Sequence, residues 1–295
     1  MLSSNLQSWP APAKLNLFLH ITAQREDGFH SLQTIFQILD VGDTLQFSIT
    51  HDGTISRKSK SDIPEQSDLI VKAAKLLQSY TGCSLGAECY IEKRLPVGGG
   101  LGGGSSNAAT TLVALNALWN CGLSKQQLAE LGLQLGADVP IFVHGASAWA
   151  EGVGEDISEI NLPESHYVVL FPEVFVSTGK VFAHSQLQRD CTTITIRDFS
   201  QRLQQSGYSA AFQTVNNVCE PIVREMVPEV DTALQDLSKF ADARLTGTGA
   251  CVFARFESEA EAQLAWQQLN SKWSGFVARG VNQSGLYKVL ESQSV

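Results

Sequence analysis

The sequence predicts an α+β fold with two domains, and three observations support that prediction. Strand and helix patterns are interleaved without the steady strand–helix alternation of a doubly wound sheet. Six glycines occupy the seven positions 98–104, between a strand pattern and a helix pattern. An acidic stretch with little periodicity, residues 151–164, separates two halves. We therefore expect an N-terminal domain over residues 1–158 and a C-terminal domain over residues 159–295.

The period of the apolar residues predicts the individual elements. Apolar residues that alternate favour strands, and apolar residues three or four positions apart favour helices. In the first half these patterns predict strands at 13–23, 32–38 and 87–95 and a helix at 67–78 with Asp68 near its start. They also predict a helix that begins at Ser105 or Ser106 and ends at residues 121–122, and a helix that begins with the capping-box pair Ser124 and Gln127 and stops at Gly136. In the second half they predict strands at 167–171, 250–253 and 275–280, a helix at 260–269 and a less regular middle.

The glycine run, residues 96–106, is the most informative segment. Glycine loses the most backbone entropy on folding, so a loop of this composition needs a reason. Consecutive backbone N–H groups form an anion nest, and a following helix, which Ser105 or Ser106 would cap, adds its positive end. A flexible linker is the alternative, but linkers mix glycine with polar residues and rarely join a strand to such a helix. The run therefore predicts a polyphosphate site.

The residues around the glycines limit the kind of phosphate loop. A Walker A loop ends in Lys followed by Ser or Thr, whereas here Gly104 precedes Ser105 and Ser106. A dinucleotide fold needs an acidic residue about 20 positions further on, and residues 118–127 contain no carboxylate. A protein-kinase loop has valine two residues after its third glycine, where this chain has Ser105. None of these three classes fits.

Composition and charge point to a small polar substrate. The formal net charge of -9 opposes an extended nucleic-acid surface, because such a surface needs clustered Lys and Arg. No apolar run is long enough to span a bilayer, and residues 1–13 show no targeting pattern. The six cysteines include no C-x-x-C pair, and the six histidines include no close metal-binding pair. We expect a cytoplasmic protein without a membrane partner, a nucleic-acid partner or a protein-bound metal; the sequence leaves its oligomeric state open.

Five separated motifs resemble the GHMP kinase superfamily, small-molecule kinases named for galactose, homoserine, mevalonate and phosphomevalonate. Besides the glycine run, they are Pro-Ala-Lys-Leu-Asn-Leu at 12–17, Asp-Gly-Phe-His at 27–30, Gly-Ala-Asp-Val-Pro at 136–140 and Leu-Thr-Gly-Thr-Gly-Ala at 245–250. In this order they are similar to the branch that phosphorylates the 2-hydroxyl of 4-diphosphocytidyl-2-C-methyl-D-erythritol in the non-mevalonate route to isoprenoid precursors. The resemblance implies the two-domain GHMP kinase architecture, with ATP and substrate meeting in the interdomain cleft.

The resemblance also implies a catalytic pair and a phosphate loop. Lys14 and Asp138 match the family's catalytic residues, in which a carboxylate accepts the hydroxyl proton and an ammonium holds that carboxylate ionised. From the residues alone, Asp138 is equally an N-cap before Pro140, and Lys14 is alternatively a lysine whose head reaches solvent. The ATP phosphate loop corresponds to Pro96, Val97, Gly98, Gly99, Gly100, Leu101, Gly102, Gly103, Gly104, Ser105 and Ser106.

Contacts to the rest of the substrate follow from the same resemblance. Phe29, where the family commonly has tyrosine, is expected to stack on the cytosine, and His30 is expected to hydrogen-bond its edge. Without the resemblance, His30 would be interpreted as an exposed turn histidine. Thr178 corresponds to a threonine that contacts substrate, and Phe182 corresponds to a second aromatic residue against the cytosine. Asn16 corresponds to a further substrate contact.

ATP is the expected phosphate donor, with Mg2+ carried by its phosphates and Ser105 or Ser106 as the nearest hydroxyl. Residues 246–250 are either a second loop that approaches phosphate or a tight turn before a strand. Two other functions stay open: another GHMP small-molecule kinase, and a catalytically silent nucleotide-binding regulator on the same fold. A substrate panel separates the first, and ADP release excludes the second.

Overall fold

One hydrogen-bonded sheet of ten strands organises the described part of the chain, residues 6–26, 28, 30–60 and 63–292 of the computed structural model. The strands are β1 (Trp9–Gln24), β2 (His30–Thr50), β3 (Ile55–Arg57), β4 (Gly86–Glu92), β5 (Ala148–Glu151), β6 (Asp156–Glu159), β7 (Ser165–Phe171), β8 (Ala243–Leu245), β9 (Val252–Phe256) and β10 (Ser274–Val281). The main path runs β3-β4-β2-β10-β7-β9-β8, while β1 and β5 pair with β2, and β6 pairs with β5. The mostly antiparallel pairing confirms the α+β class.

Helices pack against this sheet. They are α1 (Leu69–Thr81), α2 (Gly103–Leu118), α3 (Lys125–Leu133), α4 (Val139–His144), α5 (Thr178–Phe182), α6 (Ile196–Phe212), α7 (Glu220–Met226), α8 (Pro228–Leu237), α9 (Glu259–Leu269) and α10 (Gly285–Ser292). The side chain of Asp68 accepts the Ile70 N–H and so caps α1. Ser124 and Gln127 form the predicted capping box of α3. In the described part of the chain, no helix combines the length and apolar character needed to cross a membrane.

Three apolar clusters hold the helices on the sheet. The first joins helices α1 to α4 to strands β2 and β4, and it includes Leu286 of α10. The second packs α7, α8 and α9 on β7 and β9. The third links β1, β5 and α6, where the rings of Phe18, Trp149 and Phe199 lie with centroids 5.4 to 6.3 Å apart. These contacts fix the position of β1, which carries Lys14 and Asn16, and of β2, which begins at His30.

Two predicted features differ from the structure. The second strand was expected over residues 32–38, but β2 continues to Thr50 because its later residues pair with β4. The middle of the second half was expected to be less regular, but it contains helices α5 to α8. These helices are short or, in α6, interrupted at Gly207, so no long run of helical spacing marks them in the sequence. The boundary predicted after residue 158 lies within β6 and stays a prediction.

Candidate active site

Lys14 lies buried in β1 with its ammonium group fully engaged. Its Nζ donates to Asn16 Oδ1 at 2.5 Å and to the Gly100 carbonyl oxygen at 3.1 Å. The same Nζ lies 3.3 Å from Asp138 Oδ2. An ammonium group has three N–H donors, and these three acceptors account for them. The side chain is 3% exposed, which rules out a lysine whose head reaches bulk solvent.

Asp138 occupies the N-cap position of α4, yet its carboxylate does not cap the helix. The helix has Pro140 in its first turn, as the sequence predicts, and the Asp138 side chain makes no capping hydrogen bond. Its side chain is 38% exposed and faces the cleft beside Lys14. The backbone position therefore belongs to the helix start, whereas the carboxylate is available to a ligand.

Asn16 holds the Lys14 ammonium in place. Its Oδ1 accepts from Lys14, and its Nδ2 donates to Thr34 Oγ1 at 3.0 Å. Its backbone N–H donates to Thr246 Oγ1 at 2.9 Å. Asn16 is 4% exposed but still borders the cleft, so its expected contact with substrate stays a prediction.

The glycine run turns sharply before it enters α2. Gly98, Gly100 and Gly102 have φ values of 75°, 77° and 71°, a region that side chains with a Cβ rarely adopt. The helix begins at Gly103, with Gly102 as a cap that offers no side chain. The expected serine cap is therefore wrong, because the cap is the left-handed Gly102, three residues before Ser105 and four before Ser106. Ser105 and Ser106 lie in its first turn.

The glycine run also packs directly on the second small-residue loop, residues 246–250. A Cβ at Gly100 would lie 2.4 Å from the Thr246 carbonyl oxygen, and one at Gly99 would lie 2.6 Å from Cys251 Sγ. These two glycines are thus required by close contact within the protein. Gly247, Thr248 and Gly249 border the cleft, and the expected approach of this loop to phosphate stays a prediction.

Gly100→Ala is expected to destabilise the fold more than a matched glycine substitution elsewhere. Gly122 has a similar φ of 71°, and nothing lies within 4 Å of a Cβ there. Gly122→Ala should cost about 1–2 kcal/mol of unfolding free energy from backbone strain alone. Gly100→Ala should cost about 1–3 kcal/mol more, because the new methyl group displaces the Thr246 loop. Urea unfolding of both variants measures the difference, and equal losses would show that the loops can separate without cost.

Two cavities meet at the glycine run. One, of about 740 Å³, is bordered by residues that the sequence predicts for the site: Lys14, Asn16, His30, Asp138, Thr178 and Phe182. The other, of about 600 Å³, is bordered by the glycine run and by the cationic residues Arg57, Lys60 and Lys93. Gly98, Gly100 and Ser105 border both. These three cations were not predicted. The basic segment 57–60 and the adjacent pair Lys93 and Arg94 are visible in the sequence, but only the fold shows that some of these side chains border the glycine run.

Lys93 is fixed at the entrance to the glycine run by a buried acid. Its Nζ lies 2.6 Å from Asp43 Oδ2, and that side chain is fully buried. Asp43 Oδ1 accepts the backbone N–H groups of Arg94 and Leu95 at 2.8 and 2.9 Å. One carboxylate therefore fixes both a cation and the chain that leads into the run.

The larger cavity is also bordered by a ring pair. His30 and Phe182 stack with centroids 5.2 Å apart and planes 25° from parallel. Burial, and then the charge of Arg189, lower the pKa of His30. His30 is half-buried at the start of β2, unlike an exposed turn histidine. Thr178 Oγ1 lies 2.8 Å from Thr248 Oγ1 at the cavity wall, and Phe29 lies outside the described residues.

The fold and this site define a small-molecule kinase of the GHMP type. The model of the GHMP kinases N-terminal domain matches residues 68–146, and that of the GHMP kinases C-terminal domain matches residues 194–275. The two matches lie on either side of the predicted boundary and together cover more than half of the chain. A solved mevalonate kinase from Methanococcus jannaschii has the same fold, with a TM-score of 0.69, 16% identity, and coverage of 95% of this chain and 100% of that one.

The chain belongs to the 4-diphosphocytidyl-2-C-methyl-D-erythritol kinase family within the GHMP kinases. The kinase of that name from Alkalilimnicola ehrlichii is 56% identical, covering 97% of this chain and 94% of its own. The one from Nitrosococcus oceani is 52% identical, covering 96% and 98%. A crystal structure of 4-(cytidine 5'-diphospho)-2C-methyl-D-erythritol kinase has a TM-score of 0.80 at 28% identity, with 93% of this chain and 100% of that one covered.

Proposed function

We propose that this chain transfers the γ-phosphate of ATP to the 2-hydroxyl of 4-diphosphocytidyl-2-C-methyl-D-erythritol, giving the 2-phosphate and ADP. The product belongs to the non-mevalonate route to isoprenoid precursors. One observation carries the proposal: the ion pair of Lys14 and Asp138 borders the larger cavity beside the glycine run, where the two cavities meet. The names of the relatives supply the identity of the substrate.

Asp138 is the proposed base. A tertiary alcohol loses its proton with difficulty, so the acceptor must be held ionised and close to it. Asp138 Oδ2 lies 3.3 Å from the Lys14 ammonium, and the carboxylate makes no capping hydrogen bond to α4, so it can accept a hydrogen bond from a ligand hydroxyl. Lys14 also stabilises the charge that develops on the alkoxide and the transferred phosphoryl group.

The smaller cavity is the proposed ATP site. The positive N-terminal end of α2 and the backbone N–H groups of the glycine run suit the phosphates. Lys93 adds a fixed cation beside Gly103, whose Cβ would lie 3.3 Å from the Lys93 Nζ. The γ-phosphate would then be directed across Gly100 toward Lys14 and Asp138.

Mg2+ is proposed to accompany the ATP phosphates. Mg2+ prefers oxygen ligands and is commonly held by substrate phosphates together with one or two protein groups. Ser105 borders both cavities, whereas Ser106 is fully buried. Of the two serines, Ser105 therefore fits a hydroxyl ligand better. The ion would neutralise charge on the β- and γ-phosphates.

A coupled assay of ADP release tests the proposal directly. With ATP and Mg2+, the cytidyl substrate should be turned over far faster than homoserine, mevalonate or galactose. Turnover of one of these alone would identify another GHMP kinase. ATP binding without ADP release on any substrate would identify a silent regulator. A cytoplasmic location is part of the proposal, and the six cysteines, all within the described ranges and free, are typical of a reducing compartment.

A further inference from the structure

The side chain of Arg189 joins the His30 and Phe182 residues, whose rings border the larger cavity. Its Nη2 donates to the carbonyl oxygens of Phe182 and His184 at 2.7 and 2.9 Å. Its Nη1 donates to the Leu187 carbonyl oxygen at 3.1 Å, and its Nε donates to His30 Nε2 at 3.3 Å. One guanidinium group therefore closes the turn after α5 and also reaches the start of β2.

This contact determines which nitrogen of His30 carries the proton. A guanidinium group has only N–H donors and keeps its charge, so the atom that faces it must accept. Nε2 of His30 must therefore have a free lone pair, and a neutral ring then carries its proton on Nδ1. Protonation of both nitrogens would direct an N–H toward a cation. The pKa of His30 is accordingly lowered, first by burial and second by the charge of Arg189.

The Nδ1–H group is left for a ligand. Within the described part of the chain, His30 bonds to Arg189 through Nε2 and stacks on Phe182, while Nδ1 has no partner among the described residues. His30 and Phe182 both border the larger cavity. The site thus offers one hydrogen-bond donor of fixed position next to an aromatic face.

We propose that Arg189 is a positioning residue that makes the base end of the cleft selective for cytosine over uracil. It holds His30 as the Nδ1–H tautomer and fixes Phe182 through its carbonyl oxygen. Cytosine presents an acceptor at N3, whereas uracil presents an N–H there. A fixed N–H donor can therefore hydrogen-bond to cytosine N3, but it would face a second donor at uracil N3. The inference rests on the proposed function, since it concerns the base of the proposed substrate.

The first test needs no substrate. Nitrogen-15 NMR of the histidine rings distinguishes the two neutral tautomers, and the signal lost in His30→Asn identifies His30. The wild-type protein should show the Nδ1–H form. Arg189→Met should shift His30 toward the Nε2–H form and raise its pKa, while Arg202→Met, an exposed arginine of α6, should change neither. An Nε2–H ring in the wild type, or an unchanged ring in Arg189→Met, would overturn the proposal.

The second test measures selectivity. The ratio of kcat/KM for the cytidyl substrate to kcat/KM for its uridyl analogue should fall about tenfold or more in Arg189→Met, mainly through the KM of the cytidyl substrate. KM for ATP should stay unchanged, because the proposed ATP site is the smaller cavity, which Arg189 does not border. Arg189→Lys keeps a donor toward His30 and should retain part of the selectivity. It also serves as the test variant if Arg189→Met does not fold.

A double-mutant cycle links the two residues. In the His30→Asn background the asparagine amide can rotate to present either a donor or an acceptor. Substitution of Arg189 should then change the cytidyl-to-uridyl ratio of kcat/KM little further. Full additivity of the two changes would contradict a role through His30. If the wild-type protein turned over neither nucleotidyl substrate, the proposed function would fail. The ring spectra of the ligand-free protein would still decide the Arg189–His30 pairing.

Discussion

Asp138→Asn should lower kcat by roughly a hundredfold or more while KM for ATP changes little. The amide is close to the carboxylate in size, so the start of α4 and the shape of the cleft should be preserved. It cannot accept the hydroxyl proton, and it no longer balances the charge of Lys14 3.3 Å away. Steady-state ADP release at saturating ATP and cytidyl substrate measures the loss.

A matched acid elsewhere provides the control for Asp138. Asp156 is an exposed residue of β6, and Asp156→Asn should leave kcat at the wild-type value. Near-wild-type turnover of Asp138→Asn would exclude this carboxylate from proton transfer.

Lys14→Met should produce a comparable loss of kcat and, in contrast to Asp138→Asn, a loss of stability. The thioether chain fills much of the same space but donates no hydrogen bond. Asn16 Oδ1 and the Gly100 carbonyl oxygen would each lose the Lys14 donor inside the protein. A buried acceptor left unpaired costs about 1–3 kcal/mol. Urea unfolding, together with kcat, measures both effects.

Lys239→Met serves as the control for Lys14, because Lys239 forms an ion pair with Asp236 at the surface and its side chain is 69% exposed. This variant should change neither kcat nor the unfolding free energy by a measurable amount. A Lys14→Met protein that loses stability but keeps its turnover would assign Lys14 a structural role alone. A Lys14→Met protein that keeps its stability but loses turnover would show that Asn16 Oδ1 and the Gly100 carbonyl oxygen accept other hydrogen bonds in place of the Lys14 donor.

The sequence predicted the parts of this fold that local pattern determines. Asp68 was expected near the start of a helix and caps it, and Ser124 with Gln127 forms the expected capping box. The position of the glycine run between a strand and a helix was also predicted correctly. The caps of α1 and α3 depend on near neighbours in the chain, so a single sequence contains that information, whereas the expected serine cap of α2 was wrong because the cap is Gly102.

Contacts between distant segments could not be predicted in this way. Gly100 was interpreted as a glycine required by a ligand, yet a Cβ there would lie 2.4 Å from the Thr246 carbonyl oxygen. Arg189 has no motif around it that indicates a partner 159 residues earlier in the chain. Asn16 was assigned to the substrate, and its role in holding Lys14 depends on a side-chain geometry that spacing does not report.

Helix α10 gives the protein an order of assembly. Leu286 is fully buried in the cluster that α1, α2 and α4 form, and Tyr287 packs against the same cluster. The Ser284 N–H donates to the Gly145 carbonyl oxygen at 2.7 Å, and the Ser147 N–H donates to the Asn282 carbonyl oxygen at 3.0 Å. During synthesis on the ribosome, the apolar surface of α1, α2 and α4 that α10 covers therefore stays exposed until residues 282–290 have emerged. Nascent chains stalled before that point should be bound by chaperones, and chains stalled beyond it should be released.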